Sequence, residues 1–203
     1  MRIYSKIFSH LYDPVMQGLE KGVLHEKRKF LLRDVEMPVL EIGFGTGANY
    51  FAYQDRADLN LTVIERSPFM IEKFYKKFPK NQNVVIYVDS IENEALIKSL
   101  PKFKSIVSTL TLCSVSNLEK SIRNVLFSLS DDGTFYVMEH IRSDKKLYGK
   151  FQDVISPAWK LIGDGCHINR ETDKVLKQFF YPLFEEYFFA GVDFYLAKLK
   201  KRS

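Results

Sequence analysis

The segment Pro38–Gly47, which reads PVLEIGFGTG, decides the fold of this chain. It is a short apolar run that ends in closely spaced glycines, the pattern of a buried strand leading into a tight turn. Glycine lets the backbone turn sharply and approach a ligand closely, and such a loop has meaning between a strand and a helix. We therefore predict a strand, a ligand-binding loop and a helix that starts at about Ala48.

Acidic residues accompany this loop and the two strands predicted after it. Glu41 precedes the first glycine, Glu65 lies at the end of the run LNLTVIER, and Asp89 ends the run NVVIYVD. A carboxylate at Glu41 would repel the pyrophosphate that a dinucleotide places at a helix N-terminus. It would instead attract the ammonium and the sulfonium of S-adenosylmethionine, which carries no phosphate.

The other two acids have positions that suit a nucleoside. Glu65 is placed to accept hydrogen bonds from the ribose hydroxyls, a role that fits a nicotinamide cofactor equally well. Asp89 can accept a hydrogen bond from the exocyclic amine of adenine. Each acid alone could be a helix cap or a surface charge, but the acids together with the glycine loop predict an S-adenosylmethionine site.

Strand-like and helix-like segments alternate from about residue 38 to residue 140. The helical segments include SPFMIEKFYKKF, with Ser67 as its N-cap, and NLEKSIRNVLFSLS, with Asn117 as its N-cap. This alternation predicts a doubly wound α/β sheet with its ligand at the carboxyl ends of the strands. The segment FEEYFFAGVDFYLAKL predicts a closing antiparallel hairpin around Gly191, and no linker divides the 203 residues.

The composition is that of an ordinary globular domain, with 46% hydrophobic residues, 27% charged residues and a net charge of +5. Basic residues are densest in the run HEKRK at His25–Lys29 and in the C-terminal KLKKRS. We interpret these runs as a solvated helix face and a frayed terminus, with weak peripheral contact to anionic lipid as the alternative. No nucleic-acid partner is expected, because the basicity is diffuse.

The cysteines, Cys113 and Cys166, are too far apart to form a CxxC pair or a zinc pattern. We therefore predict no metal site, and the lack of a disulfide framework favours a cytoplasmic location. No apolar run approaches the length of a membrane span. The opening residues MRIYSKIFSH lack the apolar core of a signal peptide.

The chain resembles class I S-adenosylmethionine-dependent methyltransferases. VLEIGFGTG is similar to their first motif, VIERSPFM to the segment with the ribose acid, YVDSIENEAL to the adenine segment, and LSDDGTFYVMEH to the segment along the fifth strand. The resemblance implies a single domain with a Rossmann-like, doubly wound seven-stranded sheet whose last strand is antiparallel and whose two faces carry helices. It also implies an N-terminal helical lid over residues 1–35 and a core over 36–203, with a substrate-side insertion at about 144–180.

The same resemblance implies S-adenosylmethionine as the cofactor and S-adenosylhomocysteine as the product. In the lid, Tyr12 and Asp13 would cover the cofactor. Carried over residue by residue, the implied cofactor-binding set is Tyr12, Glu41, Gly43, Phe44, Gly45, Thr46, Gly47, Asn49, Glu65, Arg66, Asp89, Ser90, Thr109 and Leu110.

A narrower resemblance rests on LYDPVM, TLTLCSV, MEHIRS and SPAWKLIGDGCHINRET. These segments are similar to the methyltransferase-like-seven group of thiol methyltransferases and to bacterial phospholipid or ubiquinone/menaquinone-biosynthesis-type methyltransferases. The implied acceptor is a small or lipid-like thiol, amine or quinone precursor. The sequence departs from the family pattern at Lys104, where an acid is expected, at Asp131–Gly133 in place of PGG, and at Ala190–Gly191 in place of a longer glycine-rich segment.

A thiol, amine or phenol acceptor must lose a proton at or before attack on the methyl group, and a nearby histidine or carboxylate helps. Glu139 and His140, at the end of the fifth strand, and His167, in a later loop, are the candidate catalytic residues. Either histidine could instead hold a loop in place. We interpret Cys113 as a pocket wall and Cys166 as a small packing residue.

Other functions compete with this prediction. A nicotinamide dehydrogenase would share the glycine loop and Glu65, but Glu41 and the spacing GxGxG oppose it. A nucleic-acid methyltransferase is disfavoured because no NPPY-like motif for a flipped base is present. A scaffold that binds the cofactor without turnover is the non-enzymatic alternative, raised by the changes at Lys104 and Asp131–Gly133.

Overall fold

The computed structural model describes residues 20–78 and 83–202, and these contain one mixed sheet of seven strands. The strands are β1 (Val39–Ile42), β2 (Leu61–Ile64), β3 (Val84–Tyr87), β4 (Phe103–Thr109), β5 (Leu129–His140), β6 (Phe180–Phe189) and β7 (Asp193–Lys201). Their order is β3-β2-β1-β4-β5-β7-β6. The pairs from β3 to β5 are parallel, and β7 is antiparallel to both of its neighbours. The predicted Rossmann-like sheet with an antiparallel last strand is confirmed.

Helices cover both faces of this sheet. They are α1 (His25–Leu32), α2 (Pro68–Lys77), α3 (Glu94–Ser99), α4 (Leu118–Ser128), α5 (Lys146–Ile162) and α6 (Thr172–Phe179). Asn117 caps α4 as predicted, because its side chain accepts a hydrogen bond from the Lys120 backbone N–H at 2.9 Å. Ser67 precedes α2 without a capping hydrogen bond from its side chain.

Side chains alternate between the two faces along each strand, as the strand geometry requires. On β1, Leu40 and Ile42 join the core beneath α3, α4 and α6, whereas Val39 joins the core beneath α1 and α2. Every residue of β1 and β2 is buried, because both faces of the central strands are covered. Glu41 thus lies inside the protein on the face that α1 covers.

The predicted helix after the glycine loop is wrong. Only a short 3-10 turn, Tyr50–Ala52, follows the loop. Its backbone hydrogen bonds mostly join residues that are three positions apart. Asn49, Tyr50 and Tyr53 are weak helix formers, and all are buried. The Asn49 side chain bonds to Glu41, and the Tyr50 ring packs edge-on against Phe74 with centroids 5.0 Å apart. Tertiary contacts therefore replace helical hydrogen bonds in this segment.

The two basic runs have different outcomes. In HEKRK, Glu26 and Lys29 are exposed as predicted, but Arg28 is buried in α1. The C-terminal run is not frayed, because β7 continues to Lys201. Lys198 is buried in β7 and donates to the Asp34 carboxylate at 2.6 and 2.7 Å, and Lys201 donates to the Leu129 carbonyl at 2.6 Å. These two lysines hold the closing strand against the segment after α1 and against β5.

The N-terminal lid is described only in part. Within residues 20–35, α1 packs Leu31 and Leu32 into the core against the sheet. Tyr12 and Asp13, which the family resemblance places over the cofactor, lie outside the described residues. Among the described helices, none is long and apolar enough to cross a membrane.

Two of the departures from the family pattern contact each other. Lys104 at the start of β4 forms an ion pair with Asp132 at the start of β5. The β4–β5 pairing shifts register here, since Phe103 pairs with Leu129 and Ser105 with Thr134. Both changes therefore lie at the amino ends of β4 and β5, on the edge of the sheet opposite the glycine loop.

Candidate active site

The glycine loop after β1 is shaped by the loop after β4. Gly43 has a positive φ of 69°, and a Cβ atom there would lie 1.9 Å from Thr111 Oγ1, so only glycine fits. Gly45 also has a positive φ, of 57°, but a Cβ atom there would meet nothing within 4 Å. The loop is therefore closed against β4 at Gly43 and open at Gly45, where a ligand can approach the backbone.

Glu65 is held against the open part of this loop. Its carboxylate accepts hydrogen bonds from the backbone N–H groups of Gly45 at 2.9 Å and Ser67 at 2.7 Å. Burial raises the pKa of Glu65, although both backbone hydrogen bonds oppose the shift. A carboxylate offers about four acceptor positions, so two hydroxyl groups of a ribose can still be accepted.

Glu41 belongs to a buried polar network under the loop. Asn49 Nδ2 donates to Glu41 Oε1 and to Thr109 Oγ1, both at 2.9 Å. Arg28 Nη1 of α1 donates to Asn49 Oδ1 at 2.8 Å and to Thr109 Oγ1 at 2.5 Å. The network joins α1, β1, the segment after the glycine loop and β4, which brings three predicted cofactor residues together.

One oxygen of Glu41 has spare capacity. Glu41 Oε2 is buried and forms no hydrogen bond of normal geometry, and the same is true of the nearby Tyr53 hydroxyl. Burial raises the pKa of Glu41 to about 7, although its interactions with Tyr53, Asn49 and Arg28 favour the charged form. A cationic group that reached Oε2 would stabilise the carboxylate and satisfy the oxygen, as the ammonium of S-adenosylmethionine would.

The remaining predicted cofactor residues have mixed surroundings. Asp89 accepts hydrogen bonds from the Ser90 backbone N–H at 2.7 Å and from Asn93 Nδ2 at 2.8 Å, so it also stabilises its own turn. Thr46 is buried and accepts a hydrogen bond from Lys77 Nζ at 3.0 Å. Leu110 has a positive φ of 58°, a strained conformation for leucine that turns the chain at the end of β4.

Phe44 and Gly47 serve the packing of the loop. The Phe44 ring packs edge-on against Phe74 of α2, with centroids 4.8 Å apart. Gly47 has a positive φ of 84°, and a Cβ atom there would lie 2.7 Å from the same Phe74 ring. The Phe44 ring and the absence of a Cβ atom at Gly47 together let the loop pack closely against α2.

Arg66 contacts the loop after α5. Its guanidinium donates to the Asp164 carboxylate at 2.7 Å and to the Asp164 carbonyl at 2.6 Å. The next residue, Gly165, lies close to the loop after β4, since a Cβ atom there would lie 3.4 Å from the Ser114 carbonyl oxygen. Since β2 and β4 flank β1, the loop 163–167 spans the carboxyl end of β1, where the glycine loop lies.

Glu139 holds the loop after β4 from within the protein. It is fully buried and its carboxylate accepts four hydrogen bonds. The donors are Ser108 Oγ at 2.7 Å and the backbone N–H groups of Thr111 at 3.0 Å, Leu112 at 3.0 Å and Cys113 at 3.3 Å. Three of these bonds end on Oε1 and one on Oε2, so the carboxylate holds the loop 111–113 against β5.

His167 is held by Arg170. Arg170 donates from Nη2 to His167 Nδ1 at 2.9 Å, and from Nη1 to the carbonyls of Leu112 and Val115 at 2.7 and 2.8 Å. Burial and the Arg170 charge lower the pKa of His167. His167 Nδ1 also lies 3.1 Å from the Cys113 carbonyl oxygen. That oxygen can only accept and arginine can only donate, so the two contacts favour opposite tautomers, and the ring is held between Arg170 and the loop after β4.

His140 lies in a cluster with both cysteines. Cys113 Sγ and Cys166 Sγ are 3.5 Å apart, and Cys166 Sγ is 3.5 Å from His140 Nδ1. The contact with Cys166 and burial raise the pKa of the Cys113 thiol, whereas the same contact lowers the pKa of the Cys166 thiol. The histidine ring also packs against Phe194 with centroids 4.7 Å apart. The cluster joins the loop after β4, the end of β5 and the loop after α5.

Helix α5 has one apolar side chain against the cysteines and several in solvent. Ile155 packs against the buried cluster of Cys113, Cys166 and Ile168. The exposed apolar residues of α5 are Leu147, Phe151, Val154, Trp159, Leu161 and Ile162. At the end of β6, Phe189 is exposed and Phe188 stacks on Phe194 with centroids 4.9 Å apart.

Sequence reasoning did not find Arg28, Thr111 and Arg170, which organise the site. Arg28 is indistinguishable in sequence from its exposed neighbours in HEKRK, because only the packing of α1 buries it. Thr111 and Arg170 act by contacts across long stretches of chain, with Gly43 and with the loop after β4. The short resemblance segments TLTLCSV and GDGCHINRET, which carry Thr111 and Arg170, were the available signal.

Comparison with known proteins agrees with this geometry. A family model for the methyltransferase domain matches residues 16–180. The chain belongs to this methyltransferase family. It is an S-adenosylmethionine-dependent methyltransferase, and the predicted cofactor class is confirmed.

Its relatives include thiol methyltransferases. This methyltransferase is 30% identical over 175 residues to human thiol S-methyltransferase TMT1A, covering 84% of this chain and 70% of the relative. It is 30% identical over 150 residues to rat thiol S-methyltransferase TMT1B, covering 70% of this chain and 59% of that relative. The methyltransferase thus spans less than two thirds of the length of TMT1B.

Solved structures share the fold. The N-methyltransferase NodS from Bradyrhizobium japonicum, in complex with S-adenosyl-L-homocysteine, matches with a TM-score of 0.64 and 16% identity. The match covers 88% of this methyltransferase and 87% of NodS. At this identity the likeness concerns the fold alone.

Proposed function

We propose that this methyltransferase transfers the methyl group of S-adenosylmethionine to the sulfur of a small apolar thiol. The observation that carries the proposal is the construction of the acceptor side. At the ends of β4 and β5, the half-buried His140 lies beside Cys113 and Cys166, and Ile155 of α5 packs against the two cysteines and Ile168. The similarity to the TMT1A and TMT1B thiol methyltransferases supports the same acceptor class.

The residues at this edge of the sheet form two groups, one that would bind the cofactor and one that would contact the acceptor. S-adenosylmethionine supplies a methyl group on a sulfonium, which is already activated for displacement. Glu41 would hold the ammonium of the ligand and Glu65 its ribose. The open backbone at Gly45 would lie against the chain that joins them. Glu139 fixes the loop 111–113, and this loop carries Cys113 to the acceptor side. Catalysis then consists mainly of alignment and exclusion of water.

The predicted catalytic residues take unequal parts in this proposal. Glu139 accepts four hydrogen bonds and holds the loop 111–113 in place. His167 contacts Arg170 and the Cys113 carbonyl. Both histidines are partly exposed, and His140 is the one whose ring adjoins the two sulfur atoms, so we assign contact with the acceptor to its cluster.

The changes at Lys104 and Asp132 do not favour a scaffold without turnover. The two residues pair with each other at the far edge of the sheet, away from the polar network around Glu41. The predicted substrate-side insertion, residues 144–180, contains α5 and the loop 163–167, and we propose that it forms the acceptor wall. The apolar face of α5 supports an acceptor with an alkyl or aryl body.

The test is turnover with matched acceptors. Purified protein is incubated with S-adenosylmethionine and either hexanethiol or hexanol, and both S-adenosylhomocysteine and the methylated product are measured by mass spectrometry. We expect transfer to the thiol and none to the alcohol. Transfer to an aminophospholipid or a quinone precursor, with none to any thiol, would show that the acceptor is that compound class and not a thiol. Cofactor binding without turnover on any acceptor would establish the scaffold instead.

A further inference from the structure

The cluster of Cys113, His140 and Cys166 has the donor atoms and the spacing of a metal site. Their ligand atoms all lie within 4.8 Å of one another, and the S–S and S–N distances given above are both 3.5 Å. Around a tetrahedral zinc ion with bonds of about 2.3 Å to sulfur and about 2.1 Å to nitrogen, such atoms lie roughly 3.5 to 3.8 Å apart. Two of the three pairs therefore already have the separations of a zinc site, and the third, between Cys113 Sγ and the His140 ring, lies within 4.8 Å.

The three residues come from separate parts of the chain. Cys113 and Cys166 are 53 positions apart, and His140 is 26 positions before Cys166. Such spacing forms no zinc pattern in the sequence, so the sequence predicted no metal. The parallel sheet brings the loop after β4 and the end of β5 to one edge, and the Arg66–Asp164 contact lies in the loop that carries Cys166.

We propose that Cys113, His140 and Cys166 bind one zinc ion and leave its fourth position open. Two thiolates and one imidazole form a soft and borderline donor set that favours zinc over magnesium or calcium. Zinc sites with three protein ligands, including the Cys2His set, are of the catalytic kind, whereas structural sites have four. Among the described residues, no fourth histidine, cysteine or carboxylate belongs to the cluster.

The surroundings hold the ligands in place. The Cys113 backbone N–H donates to Glu139 Oε2 at 3.3 Å, and the Cys113 carbonyl accepts from the His167 backbone N–H at 2.9 Å. The His140 ring packs on Phe194. Second partners of this kind orient metal ligands, and their loss commonly lowers metal affinity. The site is therefore built into the sheet edge rather than formed by mobile surface groups.

We assign the open position to the acceptor thiol, and this assignment rests on the proposed function. An acceptor thiol would coordinate through sulfur and release its proton to water. A sulfur lone pair then forms the bond to the methyl carbon while the bond from that carbon to the sulfonium breaks, and the bonding pair leaves with S-adenosylhomocysteine. Zinc holds the acceptor as a thiolate near neutral pH, where a free alkyl thiol is mostly protonated.

The first experiment measures metal binding without turnover. The full chain is purified, stripped with a chelator and titrated with zinc chloride under a phosphine reductant, against a competing chromogenic chelator. We expect one zinc per chain by elemental analysis, together with release of protons from the ligands. A reduced protein that binds no zinc overturns the proposal, as does a mass deficit of two hydrogens that shows Cys113 and Cys166 joined in a disulfide when the protein is isolated.

Variants locate the ion. Cys166→Ser and His140→Gln should each weaken zinc binding roughly a hundredfold or more, and the thiolate absorption of the cobalt-substituted protein should be weaker in Cys166→Ser, which keeps only Cys113. His25→Gln, a half-buried histidine in α1 outside the cluster, is the matched control and should bind zinc as the parent does. Unchanged affinity in both cluster variants overturns the site. Loss of affinity in His167→Gln would mean that His167 closes the fourth position.

The proposed metal site and the proposed thiol methylation can be contradicted independently of each other. A protein that binds one zinc at this cluster but methylates no thiol keeps the metal site and overturns the proposed function. A protein that methylates hexanethiol equally fast with and without zinc keeps the proposed function and overturns the activation step. Faster turnover with zinc, lost in His140→Gln while cofactor affinity is retained, supports both.

Discussion

Two buried carboxylates at the same edge of the sheet have opposite relations to their neighbours. Glu41 of β1 has one buried oxygen that no hydrogen bond of normal geometry reaches, and burial raises its pKa to about 7 although Tyr53 favours its charged form. Glu139 of β5 is buried to the same degree but accepts one hydrogen bond from Ser108 of β4 and three from the loop after β4. The difference teaches that burial alone does not mark a ligand site. The carboxylate that no backbone N–H group reaches is the one prepared for a cation.

Replacing Glu139 should produce the largest effect. In Glu139→Gln, an amide nitrogen would face backbone N–H donors, and the loop 111–113 would lose its charged acceptor. We expect the free energy of unfolding to fall by about 3 kcal/mol or more, measured by urea denaturation. Glu41→Gln serves as the comparison and should lose less, because its carboxylate accepts fewer hydrogen bonds. Equal stability of the two variants would contradict the contrast between the carboxylates.

Replacing Glu65 should act on the cofactor. Glu65→Ala removes the acceptor for the ribose hydroxyls and for the Gly45 backbone N–H, so affinity for S-adenosylmethionine and S-adenosylhomocysteine should fall several-fold or more. Calorimetric titration measures both affinities, and circular dichroism shows whether the variant is folded. A folded variant with the parent affinity would show that Glu65 does not bind the ribose.

The pH dependence of binding tests Glu41 directly. Its pKa of about 7 lies above the ordinary value of 4.5, so between these pH values the folded protein holds a proton that the unfolded chain lacks. Stability should therefore fall as pH rises through this window. A bound ammonium favours the carboxylate, so cofactor binding should release a proton below pH 7 and strengthen as pH rises toward 7.

Calorimetry in two buffers of different ionisation enthalpy measures this proton release. Glu65 also has a raised pKa, and Arg28 and Tyr53 adjoin Glu41, so the decisive comparison is with Glu41→Gln. That variant should lose the part of the proton release that belongs to Glu41. The same release in parent and variant would mean that the cofactor does not reach Glu41.

The smallest effect is expected at the opposite edge of the sheet. Lys104→Ala removes the exposed ion pair with Asp132, and exposed pairs contribute little. Cofactor affinity and thiol turnover should both equal those of the parent. A clear loss of either would reveal that the amino ends of β4 and β5 influence the site, and would restore the concern raised by the departure from the family pattern.

The cofactor side was largely predictable from sequence because its signals are local. The glycines of residues 43–47, the acids at the strand ends and the apolar runs between them follow from strand geometry and turn chemistry within short segments. The helix predicted from about Ala48 failed for a tertiary reason. Asn49, Tyr50 and Tyr53 find buried partners that a helix would not let them reach.

The acceptor side could not be predicted in the same way. Glu139 and His140 are neighbours in sequence, yet Glu139 accepts four hydrogen bonds whereas His140 contacts the sulfur of Cys166. Successive residues of a strand point to opposite faces, so their surroundings differ completely. Local composition cannot show which partners each face will meet.

The sequence by itself determined the alternating fold, the position of the glycine loop and the acids that suit S-adenosylmethionine, since these depend on short-range periodicity and backbone conformation. Only the tertiary structure decided that Arg28 is buried beneath the loop and that Cys113, His140 and Cys166 meet. It also decided that Glu41 Oε2 is buried without a hydrogen bond of normal geometry. These features arise where a parallel sheet gathers distant loops at the carboxyl ends of its strands. Hydrogen bonds and burial are then set by neighbours that the sequence does not place side by side.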